Sequence, residues 1–275
     1  MSKFECDQAG QLGNSRPDLE QKTNDTILLA ASEVKPEKFA PDLLPETDQQ
    51  SLEDWAIQDM AKSGIMPETA RQLGITCVNE KEVHDILGFR TVDQNGKPVN
   101  GYSIPFFDPV TGNQMLCLEG CRPFIRVKLR NQAVMSGSSA KYLSPMQAGQ
   151  HAYILPSVHQ AILTGAPVVL TEGEKKCICA TERGLPVIGL TGIWGWRDTA
   201  AGAGVSHDRL LPELSRYAKA GTTWTLIFDS DAVLPEKRHD FQQAAVRLAK
   251  ALDAYGVQLR LLILPQHAIQ QHVRI

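Results

Sequence analysis

No stretch of this chain stays apolar for anything near the roughly 18 residues that a bilayer-spanning helix needs, which removes the membrane class. The amino terminus lacks a basic start followed by an apolar core, so nothing marks it for export. Six cysteines (6, 77, 117, 121, 177 and 179) are scattered through a chain too long to need disulfide staples, and a reduced, cytoplasmic protein is expected. Cationic excess is missing as well. With a formal net charge of -3, any nucleic-acid surface has to be a local patch on an acidic background. No glycine-rich loop closes on Gly-Lys-Ser/Thr, which excludes a P-loop. Cys117 and Cys121 have a ligand spacing, yet no second Cys or His pair stands at zinc-finger distance. No Ser-His-Asp or Cys-His arrangement suggests a nucleophile.

What remains is a chain of 275 residues with 43% apolar content, enough for one large domain or two ordinary ones. Residues 1 to 50 carry ten acidic and five basic side chains and four prolines, and read as a mostly flexible acidic leader with one apolar island, Thr26 to Ala31. Ser51-Leu-Glu-Asp54 resembles a capping box, and Leu52, Trp55, Ala56 and Met60 follow at helical spacing until Ser63-Gly64. Pro67 to Leu73 reads as a second short helix closed by Gly74. From about residue 89 the texture becomes β, with turn signals at Asp93 to Gly96 and Asp108 to Gly112 bracketing Gly101 to Phe107, and a small antiparallel sheet is expected.

Arg122 to Lys141 holds five basic residues (Arg122, Arg126, Lys128, Arg130 and Lys141) and no acidic one. The alternation in Ile125-Arg-Val-Lys-Leu-Arg130 places three cations on one strand face. Two readings fit that face, a solvated strand surface or a phosphate contact.

The remainder alternates strand and helix. Strands are expected at 167 to 171, 186 to 190, 223 to 228 and 257 to 264. Helices are expected at about Glu174 to Arg183, Asp208 to Lys219 and Asp240 to Tyr255, with Gly184 and Gly256 as stops. The fold class is therefore α/β, a Rossmann-like parallel sheet of about four strands flanked by helices over 161–275, preceded by a small α+β subdomain over 51–160. Val168-Val-Leu-Thr-Glu172 and Leu226-Ile-Phe-Asp-Ser-Asp231 each run apolar and end in acid. Glu172, Asp229 and Asp231 thus fall at strand carboxyl ends, where α/β sheets bind ligands and where carboxylates can hold a divalent metal. Gly173 permits a tight turn behind Glu172. Lys175 and Lys176 then sit in the first turn of a helix, where the dipole disfavours cations. Facing a polyphosphate or the acidic cluster would account for them, and so would plain solvation. Trp194 and Trp196, in the loop Gly189 to Trp196, either stack bases or anchor the loop.

Val168 to Lys176 together with Leu226 to Asp231 resembles the Toprim domain of bacterial-type (DnaG-like) primases, topoisomerases and some nucleases, and is closest to the primase-like proteins of plasmids, phages and other mobile elements. Ser63 to Ala70 with Leu73-Gly-Ile75, Ile104 to Asp108 with Gly112, and Lys141 to Pro145 fall in the order of the primase catalytic core, so the likeness covers about residues 51 to 265. It implies that Glu172 is the catalytic acid and that Asp229 and Asp231, with Glu172, coordinate Mg²⁺ or Mn²⁺. It further implies that Arg126 and Arg122, with Lys141 nearby, face template or nucleotide. The implied activity is primer synthesis by metal-dependent nucleotidyl transfer on single-stranded DNA, with a replicative helicase as a further partner. A catalytically silent binding module and a nuclease are the alternatives. Where that family carries further acids after the last strand, Leu264 to Ile275 contains none.

Overall fold

The computed structural model describes residues 52–117, 120, 122–135, 138–198, 208–229 and 234–264, all within one compact unit. The acidic leader, Ser51, Cys121 and Asp231 lie outside the described residues. Two four-stranded sheets are built from them in chain order. The first is antiparallel and is preceded by two short helices, α1 (Asp54–Ala61) and α2 (Pro67–Gln72). Its strands are β1 (Thr76–Val78), β2 (Gly101–Pro105), β3 (Ile125–Met135) and β4 (Ser138–Leu143), paired in that order, with helix α3 (Glu80–Leu87) between β1 and β2. The α3 helix was not expected from the sequence, although its start is explicit. Asn79 accepts from the backbone N–H groups of Lys81 and Glu82 while the Glu82 carboxylate accepts from the Asn79 N–H, a complete capping box.

Helix α4 (Pro156–Leu163) leads into the second sheet, whose strands are β5 (Val169–Glu172), β6 (Ile188–Leu190), β7 (Thr223–Phe228) and β8 (Gln258–Ile263). These are parallel throughout and lie in the order β6-β5-β7-β8. Helix α5 (Glu174–Glu182) connects β5 to β6, a one-turn helix α6 (Pro212–Ser215) precedes β7, and the long helix α7 (Pro235–Asp253) connects β7 to β8. The protein is thus mixed α/β, with a helix-flanked parallel sheet. No helix among the described residues is long and apolar enough to cross a membrane.

The two sheets share one hydrophobic cluster. It runs from Leu52, Ala56 and Met60 through Tyr102, Ile104 and Phe124 to Leu170, Ile188, Trp224, Leu226, Leu248 and Leu252. Along α7 the buried residues Ala244, Leu248 and Leu252 recur every fourth position, the stripe that seats a helix on a sheet. Fully burying each such leucine stabilises the fold by roughly 1.5–3 kcal/mol. A smaller cluster, Val78, Val83, Leu87, Val99, Val127 and Leu129, fixes α3 against the antiparallel sheet.

Three expectations need correction. The α1 cap is Glu53, which makes no side-chain cap bond. The helix expected over 208–219 is only Pro212–Ser215, because Leu210 is extended and bridged to Arg197 while Asp208 is taken by ion pairs. Helix α7 begins at Pro235 rather than Asp240, since proline's fixed φ suits a first helical turn. The strand expected at 257 to 264 is β8, at the edge of this sheet, with Leu261, Leu262 and Ile263 exposed.

Candidate functional site

The candidate site is the carboxyl edge of the parallel sheet at β5 and β7. From β5 the chain crosses to β6 on one side, and from β7 it crosses to β8 on the other. Strand order therefore reverses between these neighbours, and the crevice at such a switch point is where open α/β sheets bind ligands. Thr171 is level with Ile227. Glu172 is accordingly level with Phe228, and Asp229 follows one residue on, so two acidic residues stand at the ends of adjacent strands, one residue out of step.

Gly173 makes this edge possible. Its backbone lies at φ 91°, ψ 147°, a conformation essentially reserved for glycine, and its N–H donates to the Leu190 carbonyl of β6 at 2.7 Å. The chain thereby turns directly from the Glu172 strand end into α5. The first turn of α5 then sends three consecutive charged side chains to three different elements.

Glu174, only 2% exposed, pairs with Arg126 of β3, whose side chain is 11% exposed and stacked over the Tyr142 ring at 5.6 Å. Lys175 donates to the Asp59 carboxylate at 3.0 Å and to the Asp59 carbonyl at 3.2 Å, reaching α1. Lys176 pairs with Asp229 and also donates to the Glu172 carbonyl at 3.1 Å. These contacts resolve the apparent conflict of lysines at a helix amino terminus, since each ammonium meets a carboxylate that offsets the dipole.

Asp59 is the hub of the second contact. Besides Lys175 it accepts from the Tyr102 hydroxyl at 2.9 Å and from Lys128 of β3 at 3.3 Å. Burial by itself raises the Asp59 carboxyl, but the bonds from Lys175 and Tyr102 and the charges of Lys175 and Lys128 outweigh it and hold the group below the usual carboxylate range. Burial, followed by the neighbouring Tyr142 and the Asp59 carboxylate, pushes the Tyr102 phenol far above its ordinary value, so it is a fixed donor here.

The structure brings Glu172, Gly173, Lys176 and Asp229 together. Asp231, two residues past Asp229 in sequence, lies outside the described residues. Among those residues no group of three or more His, Cys, Asp and Glu side chains is arranged to hold a metal ion. The basic strand is not a uniformly open cationic face. Arg126 is turned inward onto Glu174, Lys128 onto Asp59, and Arg130 lies 4.0 Å from Glu53 and over the Trp55 ring. Arg122 donates to the Met146 carbonyl at 3.1 Å, whereas Lys141 is exposed on β4.

Trp196 is fully buried in the shared core, and Trp194 has the guanidinium groups of Arg197 and Arg247 over its ring at 5.6 and 5.4 Å. Both tryptophans anchor their loop. Sequence reasoning missed Glu174 and Asp59. A signal existed for Asp59 in its i, i+4 spacing from Trp55, which places both on the α1 face turned toward Tyr102 and Lys128. Glu174 offered none beyond its place in the first helical turn.

A protein-family model described as "Domain of unknown function (DUF3854)" matches residues 159–270, which takes in the parallel sheet and the candidate edge. No curated protein matches the sequence at a significant level. Among solved structures, the chain is similar to the Aquifex aeolicus primase (zinc-binding and RNA polymerase domains) at 17% identity and a TM-score of 0.48, over 78% of this chain and 51% of that one. A DNA primase domain from Pseudomonas aeruginosa is similar at 16% identity and a TM-score of 0.45, over 78% of this chain and 64% of that one. A DnaG primase catalytic domain bound to single-stranded DNA is similar at 16% identity and a TM-score of 0.48, over 80% of this chain and 67% of that one. The chain thus spans about half the length of the first of these primases and under two thirds of the second.

Proposed function

We propose that the protein is a Toprim, primase-like nucleotidyl transferase that uses Mg²⁺ or Mn²⁺ on nucleotides and a single-stranded DNA template. The observation that carries this reading is the placement of Glu172 and Asp229 at adjacent strand ends on the topological switch point, behind a glycine-only turn. The motif order from Ser63 to Asp231 supports the same reading and is closest to the replication proteins of mobile elements.

The residues at this edge fit a hard divalent cation. They present oxygen donors only, and the Lys176 ammonium already stands on the Asp229 carboxylate and the Glu172 carbonyl as a stand-in cation. Glu172 and Asp229 would hold the ion, joined by Asp231. When bound, such ions align the attacking hydroxyl and neutralise charge on the attacked phosphate. The chain's own residues supply the frame. Gly173 sets the direction of Glu172, and the Arg126–Glu174 and Lys175–Asp59 pairs lock the first turn of α5 against β3 and against α1. Lys141 on β4 and Arg122, just ahead of β3, are the groups proposed to meet template phosphates.

Template-dependent incorporation of labelled ribonucleotides tests the proposal. Wild type should incorporate only with Mg²⁺ or Mn²⁺, and Glu172→Gln should reduce incorporation by at least about a hundredfold, the usual size for a positioned acid. Equal activity in both, or none with either metal, rejects it. One observation favours a second reading, a module that binds single strands without turnover: the Lys176–Asp229 pair neutralises one of the two described acids. Strand binding that survives both EDTA and Glu172→Gln, with no incorporation, would select that reading.

A further inference from the structure

We infer that Lys176 is a built-in competitor of the divalent cation: its ammonium occupies the acidic edge and must leave Asp229 when the ion arrives. The inference rests on the proposed metal site and assigns that site a loading step.

Geometry carries it. Lys176 lies one turn beyond Glu172, four residues on, and its Nζ reaches two oxygens of the edge at once, the Asp229 carboxylate and the Glu172 carbonyl. No other lysine of α5 is spent this way, since Lys175 points to Asp59. The position in the first helical turn is unfavourable for a cation, so the contact with Asp229 holds the side chain where the helix dipole would repel it. Both partners remain 45% and 40% exposed, so the pair is the kind that opens readily. The other charge pairs at this corner are more enclosed: Glu174 is 2% and Arg126 11% exposed, while Lys175 and Asp59 are 17% and 23% exposed. Three consecutive side chains thus divide into two structural ties and one labile one, and the labile one stands on the acid proposed to bind metal. The ammonium stands on Oδ1 of Asp229, so a cation arriving at that oxygen meets a like charge at contact distance, and metal binding and the lysine contact compete for it.

Calorimetric titration of the full chain with Mn²⁺ tests this, using wild type, Lys176→Met and Glu172→Gln. Methionine keeps the length and apolar stem of the lysine and removes its charge. Lys176→Met should bind Mn²⁺ about three- to fivefold more tightly than wild type, the size expected when a half-exposed ion pair no longer has to be broken. In parallel, labelling of wild type with an amine-reactive reagent, read by peptide mass spectrometry, should show Lys176 more reactive with Mn²⁺ than without, while Lys175 stays unchanged. Unchanged or weaker Mn²⁺ binding in Lys176→Met, or Lys176 reactivity indifferent to Mn²⁺, overturns the inference. If Glu172→Gln weakens binding while Lys176→Met leaves it unchanged, the metal site stands and only the role of Lys176 falls. If no variant binds Mn²⁺, the proposed function and this inference fall together.

Discussion

The Arg126–Glu174 pair offers the sharpest test of how the two sheets are joined. Glu174→Gln keeps the shape of the side chain but leaves the Arg126 guanidinium in a site where it is 11% exposed and its Nε has no partner. A guanidinium cannot escape by losing its proton, so the whole cost of an unpaired buried charge remains. Removing one member of a buried pair costs about 3–5 kcal/mol, a large part of the roughly 5–15 kcal/mol that holds a domain together. For a chain of this size that lowers the thermal midpoint by roughly 6–20 °C. Urea unfolding followed by tryptophan fluorescence reads the change in free energy, because Trp196 and Trp224 lie fully buried in the shared core. Arg126→Met should be similarly destabilised, because it leaves the Glu174 carboxylate buried without its partner. The double variant Arg126→Met/Glu174→Leu should recover most of the loss, since two apolar groups replace the pair without leaving a charge behind. A Glu174→Gln protein within about 0.5 kcal/mol of wild type, or a double variant as unstable as the two losses summed, would refute the argument.

Other consequences follow from the same corner. Gly173→Ala forces a Cβ into φ 91° and should destabilise the fold by about 1–3 kcal/mol, measured by urea unfolding, while circular dichroism shows the secondary structure retained. Asp59 is held below its ordinary range, so the folded state binds its proton less readily than the unfolded chain does. Its contribution is complete above the usual carboxylate range and disappears as pH falls through the lowered value, so Asp59→Asn should flatten the acid limb of a stability-versus-pH curve below about pH 4. Burial pushes the Cys177 thiol up to about 12, and iodoacetamide at pH 8 should leave it unmodified in the native protein and modify it in urea.

Much of the parallel sheet was legible because its signals are local. The run Thr223 to Phe228 sits between Gly221 and an acid, and the strand occupies those residues. The acidic ends of β5 and β7 follow from the same kind of run, and the switch-point placement follows from strand order. The partners of the basic strand were not legible. Arg126 meets an acid 48 residues away, Lys128 one 69 residues away, and Lys175 reaches across 116 residues, so no window of sequence contains both members. Alternation correctly placed three cations on one strand face but carried no information about what covers that face. The helix expected from Asp208 fails for a related reason. An aspartate before an apolar stretch looks like a cap, whereas here it takes two arginines, Arg197 at 2.9 Å and Arg247 at 2.5 Å.

The central claim is that the β5 and β7 strand ends form a divalent-cation site, and the most direct measurement is an anomalous difference map from crystals of the protein soaked in Mn²⁺. The account predicts a peak about 2.1 Å from carboxylate oxygens of Glu172 or Asp229, with the Lys176 ammonium withdrawn from Asp229. Saturating Mn²⁺ with no peak at this edge and Lys176 still seated on Asp229 would contradict it.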